Sequence, residues 1–174
     1  EDGIVLARHV IVCTGGKSLP KSGSDGGGYR LVENLGHTIT KPLVPALVPL
    51  VLEKSHWVRE LSGVTVPTTV TLSKASGKRI VSCSGSTLCT HVGLSGPAVL
   101  DISRHFLMAK SVDPSVSLVI NWLPEKQPED LHQELIDLQS RGVQSFLRRH
   151  VAARLAQALC AQAEAPCTGD LSRE

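Results

Sequence analysis

Residues 7–36 read ARHVIVCTGGKSLPKSGSDGGGYRLVENLG, and the fold class depends on how this stretch is parsed. Val10, Ile11, Val12 and Cys13 form a short apolar run rich in β-branched residues, which suits a strand covered on both faces. The run stops at Gly15 and Gly16, which accept positive φ and carry no Cβ, so a ligand or another backbone can pass close to the strand end. Open α/β sheets bind their ligands at that edge. Pro20, Gly23, Ser24, Asp25 and Gly26 to Gly28 then make a loop, with Ser24 or Asp25 able to cap a helix. Leu31, Val32 and Leu35 recur at helical spacing until Gly36 offers a left-handed stop. Such a helix start favours an anion, although the same residues equally make a glycine-rich βα loop with no ligand.

Beyond Gly36 the composition shifts, and a domain boundary is expected near Lys41. Pro42, Pro45 and Pro49 exclude a central helix over 43–52 and predict a crossover followed by an edge strand. Val64, Val66, Val70 and Leu72 alternate with Thr65, Thr69 and Thr71, the period of a strand with one face in a core. A turn at 73–78, a return strand at 79–84 and another short strand at 87–91 continue an antiparallel, barrel-like pattern. Ser95, Gly96 and Pro97 read as a cap and a first helical turn, with Val99, Ile102, Ser103 and Phe106 on the packed side. Residues 116–122 return to strand, and helices follow from Pro124. One starts at Pro128, packs Leu131, Leu135 and Leu138, and ends at Gly142; the next runs through Leu147, Val151, Leu155 and Leu159, with Arg148, Arg149 and Arg154 facing solvent. The polar segment from Ala163 to Glu174 reads as a fraying tail.

The 174 residues suffice for one ordinary core or two small ones, and 41% hydrophobic with 20% charged residues is ordinary globular usage. A net charge of +2, with no basic block longer than Arg148–Arg149, predicts no nucleic-acid partner and no attraction to an anionic membrane surface. No apolar stretch approaches a membrane span, and the opening residues look like the middle of a longer chain. Cysteines 13, 83, 89, 160 and 167 are odd in number with no CxxC pair, which predicts free thiols in a reducing compartment: the cytoplasm, or an organellar matrix.

Several chemistries fail on spacing. Gly16-Lys17-Ser18 is not a phosphate-binding P-loop, because Ile11 stands where that pattern requires glycine. Residues 93–97 are not a nucleophile elbow, because Pro97 replaces its last glycine. The seven histidines form no HxxxH pair or cysteine cluster, so no metal site is expected. His37 reads as a side-chain cap of the preceding helix, and His91 as a turn residue held by hydrogen bonds or a polar group beside the 93–97 loop.

Two long stretches carry a resemblance. VIVCTGGKSLPKSGSDGGGYRLVENLGHTITKPLVPALVPL at 10–50, followed by THVGLSGPAVLDISR at 90–104, resembles the BaiN/RdsA-type family of NAD(P)/FAD-dependent oxidoreductases, also called YhiN-like flavoproteins. The similarity runs from about Arg8 to about Arg154, with departures at Cys13, Gly27, Cys89 and Val92. It implies an α+β, multi-part chain: part of a Rossmann-like FAD domain at 1–41, a small β-barrel-like insert domain at 42–122, and the start of a helical insert domain at 123–174. It also implies FAD as cofactor, NAD(P)H as electron donor and a small organic acceptor, with Thr14, Gly15 and Gly16 beside the FAD and Lys17 and Ser18 adjoining. It assigns no catalytic residue and no oligomeric state. No GxGxxG follows a strand, so the half of the fold that grips a pyrophosphate is not in this sequence, and a fragment inactive by itself is expected. The alternative expectation is a non-catalytic interaction or scaffold fragment that has lost cofactor binding.

Overall fold

A computed structural model describes residues 3–138 and 142–164, and it divides into two compact units, Glu1–Leu43 and Val44–Glu174. In the first unit the apolar run at 10–13 is not a strand. Val10 and Ile11 are largely exposed, and no ladder forms. A doubly covered strand needs neighbours on both edges, and no described segment of this chain supplies one. The ordered part is the loop that follows and the helix α1, Gly27–Asn34.

Gly26, at φ 84°, occupies the N-cap position of α1, and Asp25 supplies the hydrogen bond instead, its Oδ1 accepting from Gly27 N–H at 2.8 Å. At the other end Gly36, at φ 89°, donates to Glu33 O at 3.0 Å, while His37 N–H reaches Val32 O at 3.0 Å. That pair of bonds is a Schellman stop. The expected imidazole cap is therefore a backbone one.

The second unit is a five-stranded antiparallel sheet with α2, Pro97–Val112, packed against it. Its strands are β1 (Leu50–Val51), β2 (Thr65–Ser73), β3 (Arg79–Thr90), β4 (Gly93–Ser95) and β5 (Ser117–Asn121), in the order β1-β4-β3-β2-β5. The alternation read in β2 holds: Val66, Thr68, Val70 and Leu72 are buried and the intervening residues face outward. Thr69 pairs with Ser84 and Thr71 with Ser82 through side-chain hydroxyls at 2.8 Å, a polar ladder on the outer face. Pro67 is tolerated in this strand because β5 reaches only as far as Thr69, so the missing N–H breaks no ladder on that flank.

The two strands expected at 79–84 and 87–91 are one continuous β3, with Gly85 at its centre. A Cβ at Gly85 would come within 3.3 Å of the Ala98 nitrogen, so this glycine lets the first turn of α2 cross the sheet. That helix starts on Gly96 without a side-chain cap; Ser95 belongs to β4. Ala98, Val99, Ile102 and Ser103 face the sheet. Ser103 is satisfied there, donating to Leu100 O at 2.7 Å and accepting from Val48 N–H at 3.3 Å.

Helices α3 (Pro128–Ile136), α4 (Val143–Leu147) and α5 (Ala153–Gln162) follow. Gly142 does not end α3; it is the N-cap residue of α4. The helix expected through Leu147 and Leu159 is broken at 148–152, which lets Phe146, Leu147, Val151 and Leu155 join the same buried cluster as Val70 and Ile102. Arg154 is exposed yet bound, its guanidinium donating to the Glu60 and Ser62 carbonyls at the end of the 3-10 turn Trp57–Leu61. Among the described residues no helix is long and apolar enough to cross a membrane.

Candidate functional site

The residues singled out as cofactor contacts, Thr14 to Ser18, form one exposed loop that leans on the glycine turn before α1. The contact is interlocking. A Cβ at Gly28 would overlap Thr14 Oγ1 and lie 3.1 Å from Thr14 Cβ, so the Thr14 side chain occupies the space that Gly28 leaves. One at Gly26 would strike the Lys17 stem, with Cγ at 2.9 Å and Cδ at 3.3 Å. One at Gly16 would sit 2.8 Å from the Tyr29 hydroxyl. Ser18 and Ser24 approach through their hydroxyls at 3.5 Å. Gly15 turns the chain at φ 68°, and a Cβ there meets only the Ser24 side chain, at 3.4 Å and beyond.

Gly16, which reads as room for a ligand, is thus used for packing within the loop, as are the loop-forming Gly26 and Gly28. Of Thr14–Ser18, Gly16 is half-buried and the other four are exposed. A flat group can lie along an exposed, rigidly backed stretch of backbone, so these residues fit a FAD contact of the kind the resemblance implies. Residues 20–24 stiffen the approach: Ser22 N–H and Oγ both reach Leu19 O at 2.9 Å, and Gly23 N–H reaches Pro20 O at 3.1 Å.

The glycines of the 90–97 signature are explained by contacts within the sheet unit. A Cβ at Gly93 would collide with Leu50 O, and one at Gly96 would lie 3.0 Å from Leu88 N. Both glycines are therefore required by the sheet's own packing. The turn closes on Thr90, whose Oγ1 accepts from Val92 N–H at 3.3 Å and Gly93 N–H at 3.1 Å. At His91 the backbone carbonyl carries the contact, accepting from Arg59 Nε at 2.7 Å.

Elsewhere in the second unit a groove of about 310 Å³ is lined by Trp57, Glu60, Arg154 and Gln157. Among the described residues no three His, Cys, Asp or Glu side chains converge as metal ligands. No disulfide joins the four described cysteines, and Cys167 lies outside the described residues. Burial pushes the Cys83 and Cys89 thiols up, with Asp101 adding to the effect at Cys83, so neither is a ready nucleophile.

Comparison with known proteins bears on both units. Residues 44–173 match the family described as HI0933-like protein barrel and H2TH domain. The chain is 33% identical over 128 residues to a 3-dehydro-bile acid delta(4,6)-reductase of Clostridium scindens, covering 73% of this chain and 30% of the relative. It is 36% identical over 124 residues to a ribosomal RNA dihydrouridine synthase of Haemophilus influenzae, covering 71% and 28%. A ribosomal RNA dihydrouridine synthase of Escherichia coli is 31% identical over 158 residues, 89% of this chain and 36% of the relative. The chain thus spans about a third of the length of the curated relatives it matches.

Two of these names overturn the expectation that nucleic acid plays no part. That expectation rested on a net charge of +2 and the lack of a basic block, which measure only the long-range pull of these 174 residues. RNA is also recognised through shape, stacking and hydroxyl contacts, which leave no mark on formal charge.

Proposed function

The chain belongs to the HI0933-like family, and on that premise we propose that the intact protein is a FAD-dependent reductase in which Thr14 to Ser18 line one side of the flavin site. The observation that carries the reading is the exposed loop around Gly15, held by the packing of Thr14 on Gly28, Lys17 on Gly26 and Tyr29 on Gly16. On this reading residues 1–41 are part of a Rossmann-like FAD domain, 42–122 a barrel-like insert, and 123–174 the beginning of a helical insert. The reductase named among its relatives supports the reaction type.

When bound, FAD supplies two-electron redox chemistry between NAD(P)H and an acceptor. The chain's own part is binding and orientation. Gly15 keeps the loop low where it turns, so that the cofactor meets backbone there instead of a side chain, while the Cβ side of Gly16 is taken by the Tyr29 hydroxyl. Thr14 fixes the loop against α1 by filling the space beside Gly28, and Lys17, its stem laid over Gly26, presents one positive charge at the loop's end. The acceptor is proposed to carry a carbon–carbon double bond conjugated to a carbonyl. A delta(4,6)-reductase acting on a 3-dehydro bile acid and an enzyme that makes dihydrouridine both saturate such a bond, one in a small molecule and one in RNA.

The test is to purify the intact protein and record its visible spectrum, then to follow NAD(P)H oxidation with a conjugated enone and with uridine-containing RNA. A flavin spectrum with acceptor-dependent oxidation is expected, and an intact protein without flavin refutes the proposal. The 174-residue chain by itself is expected to be colourless, because affinity falls steeply when the contacts on the other side of a buried ligand are missing. Stoichiometric flavin on it would refute the assignment of only one side of the site to this chain.

A further inference from the structure

We propose that the groove beside Trp57 in the second unit holds an unpaired base of RNA, an inference that rests on the reading of the protein as a reductase whose acceptor can be a uridine in RNA. Aromatic residues make up only 3% of this chain, and its two tryptophans meet at this one place, the rings of Trp57 and Trp122 standing 6.2 Å apart at 57°. Both are half-buried, so each keeps part of its indole open. His56 stacks on Trp57 at 5.9 Å and 22°, and its own ring is fixed because Nδ1 accepts from Val58 N–H at 3.3 Å. Proteins that hold single strands use rings fixed in this way as platforms for bases.

The chemistry of the groove suits a base better than an ion. Small side chains, Ala158 and Ala161, leave about 310 Å³ beside Trp57, the low end for a ligand site. Glu60 and Arg154 put one charge of each sign on the lining, so no net charge draws a phosphate or a carboxylate into it. Arg154 is held in place by the Glu60 and Ser62 carbonyls, and Gln157 adds a neutral amide that can both donate and accept. A flat ring with donors and acceptors along its edge, such as uracil, matches that set. A second hollow of about 100 Å³ lies on Trp122, lined also by His150 and by Lys126, which is ion-paired with Glu134. Two recesses thus adjoin one pair of indoles, an arrangement for neighbouring bases of an unpaired strand, whereas a duplex keeps its bases stacked inside. Binding through bases also needs few phosphate contacts, in keeping with a net charge of +2.

Since Trp57 and Trp122 are the only tryptophans, the intrinsic fluorescence of the 174-residue chain reports on this place alone. A single-stranded oligouridylate is expected to quench it saturably, and an RNA duplex of the same length to bind at least tenfold more weakly. Trp57→Leu, read through Trp122, should weaken the oligouridylate roughly tenfold or more. Because Trp57 also packs against the core, two exposed positions on α5 carry the test with the fold kept. Gln157→Ala should weaken binding about 3- to 10-fold, the effect of one lost hydrogen bond, and Ala161→Gln, which fills the groove without adding charge, by at least as much. Thermal melting confirms that both remain folded. No quenching by oligouridylate, preference for the duplex, or wild-type affinity in both α5 variants would overturn the proposal. In the intact protein the same two variants should raise the KM for RNA with kcat and flavin content unchanged, and an unchanged KM would overturn it too. An intact protein without flavin would refute the reductase reading, and the oligouridylate titration would still decide whether the groove holds a base.

Discussion

Gly28→Ala sets two physical effects against each other, and the structure says which wins. Gly28 lies inside α1, and no positive φ is required of it. By helix propensity, replacing it with alanine should stabilise the helix by about 1 kcal/mol. The new methyl, however, overlaps Thr14 Oγ1 and stands 3.1 Å from Thr14 Cβ, contacts too deep to absorb by a small shift. Overpacking costs about 1–3 kcal/mol, and an overlap of this depth belongs near the top of that range. The net is about 2 kcal/mol against the packed loop, or roughly a 30-fold shift toward the detached state. NMR cross-peaks between the Thr14 side chain and residue 28 in the full 174-residue chain read this directly: present in the wild type and lost in Gly28→Ala, whose α1 regains the helix gain when Thr14→Ala is added. If Gly28→Ala keeps those cross-peaks, with the helix gain unopposed, then the methyl does not displace Thr14 and the account of the loop fails.

Three further outcomes are expected. Gly15→Val in the intact protein should abolish flavin retention while the melting of the sheet unit is unchanged, because a β-branched residue is strained at φ 68°; a retained flavin spectrum would dissociate Gly15 from the cofactor. Thr68→Val leaves the buried Thr87 hydroxyl without the partner it has at 2.6 Å and should cost about 1–3 kcal/mol in chemical denaturation, whereas the paired Thr68→Val/Thr87→Val change should cost less than the two singles summed. The Asp113 carboxyl is held below the usual carboxylate range by the Ser115 hydroxyl and then by the Ser115 amide. Its folded pKa lies below the unfolded one, so its contribution to stability is present above the unfolded value and fades as pH falls through the folded one. An NMR titration should show Ser115→Ala moving this pKa back up.

What could be read from the sequence was what repeats. The alternation in β2 and the spacing of Val99, Ile102 and Phe106 in α2 are periodic over several residues, and both elements stand where they were expected. What could not be read depended on partners. The run Val10–Cys13 has the composition of a strand, but pairing is a property of two segments, and its second segment is not among the described residues. The leucines at 147, 155 and 159 have helical spacing on both sides of a break that tertiary packing imposes. Glycine was the most ambiguous residue. Gly85, Gly93 and Gly96 serve crossings within the sheet unit, and Gly26 and Gly28 serve the loop's own packing, although a glycine left bare for a ligand has the same signature in sequence. The Thr14–Ser18 segment was singled out on resemblance, whereas the packing of Tyr29 on Gly16 shows only in the structure.

Pro67 has a consequence for how this unit behaves in a crowded cell. Because β5 stops opposite Thr69, no strand pairs with the flank of β2 from Thr65 to Pro67; residues 122–126 and 150–151 line the space beside Val66 and Pro67 instead, and a second molecule's strand could add on only by displacing them. A strand docking there would find no N–H at Pro67, leaving one of its own carbonyls unanswered as it left water, at a cost of about 1–3 kcal/mol. That toll is charged to the intruder alone, since β3 already satisfies the other side. A single imino acid therefore makes this unpaired flank a poor template for growth between molecules, and replacing it with valine removes that obstacle to self-association.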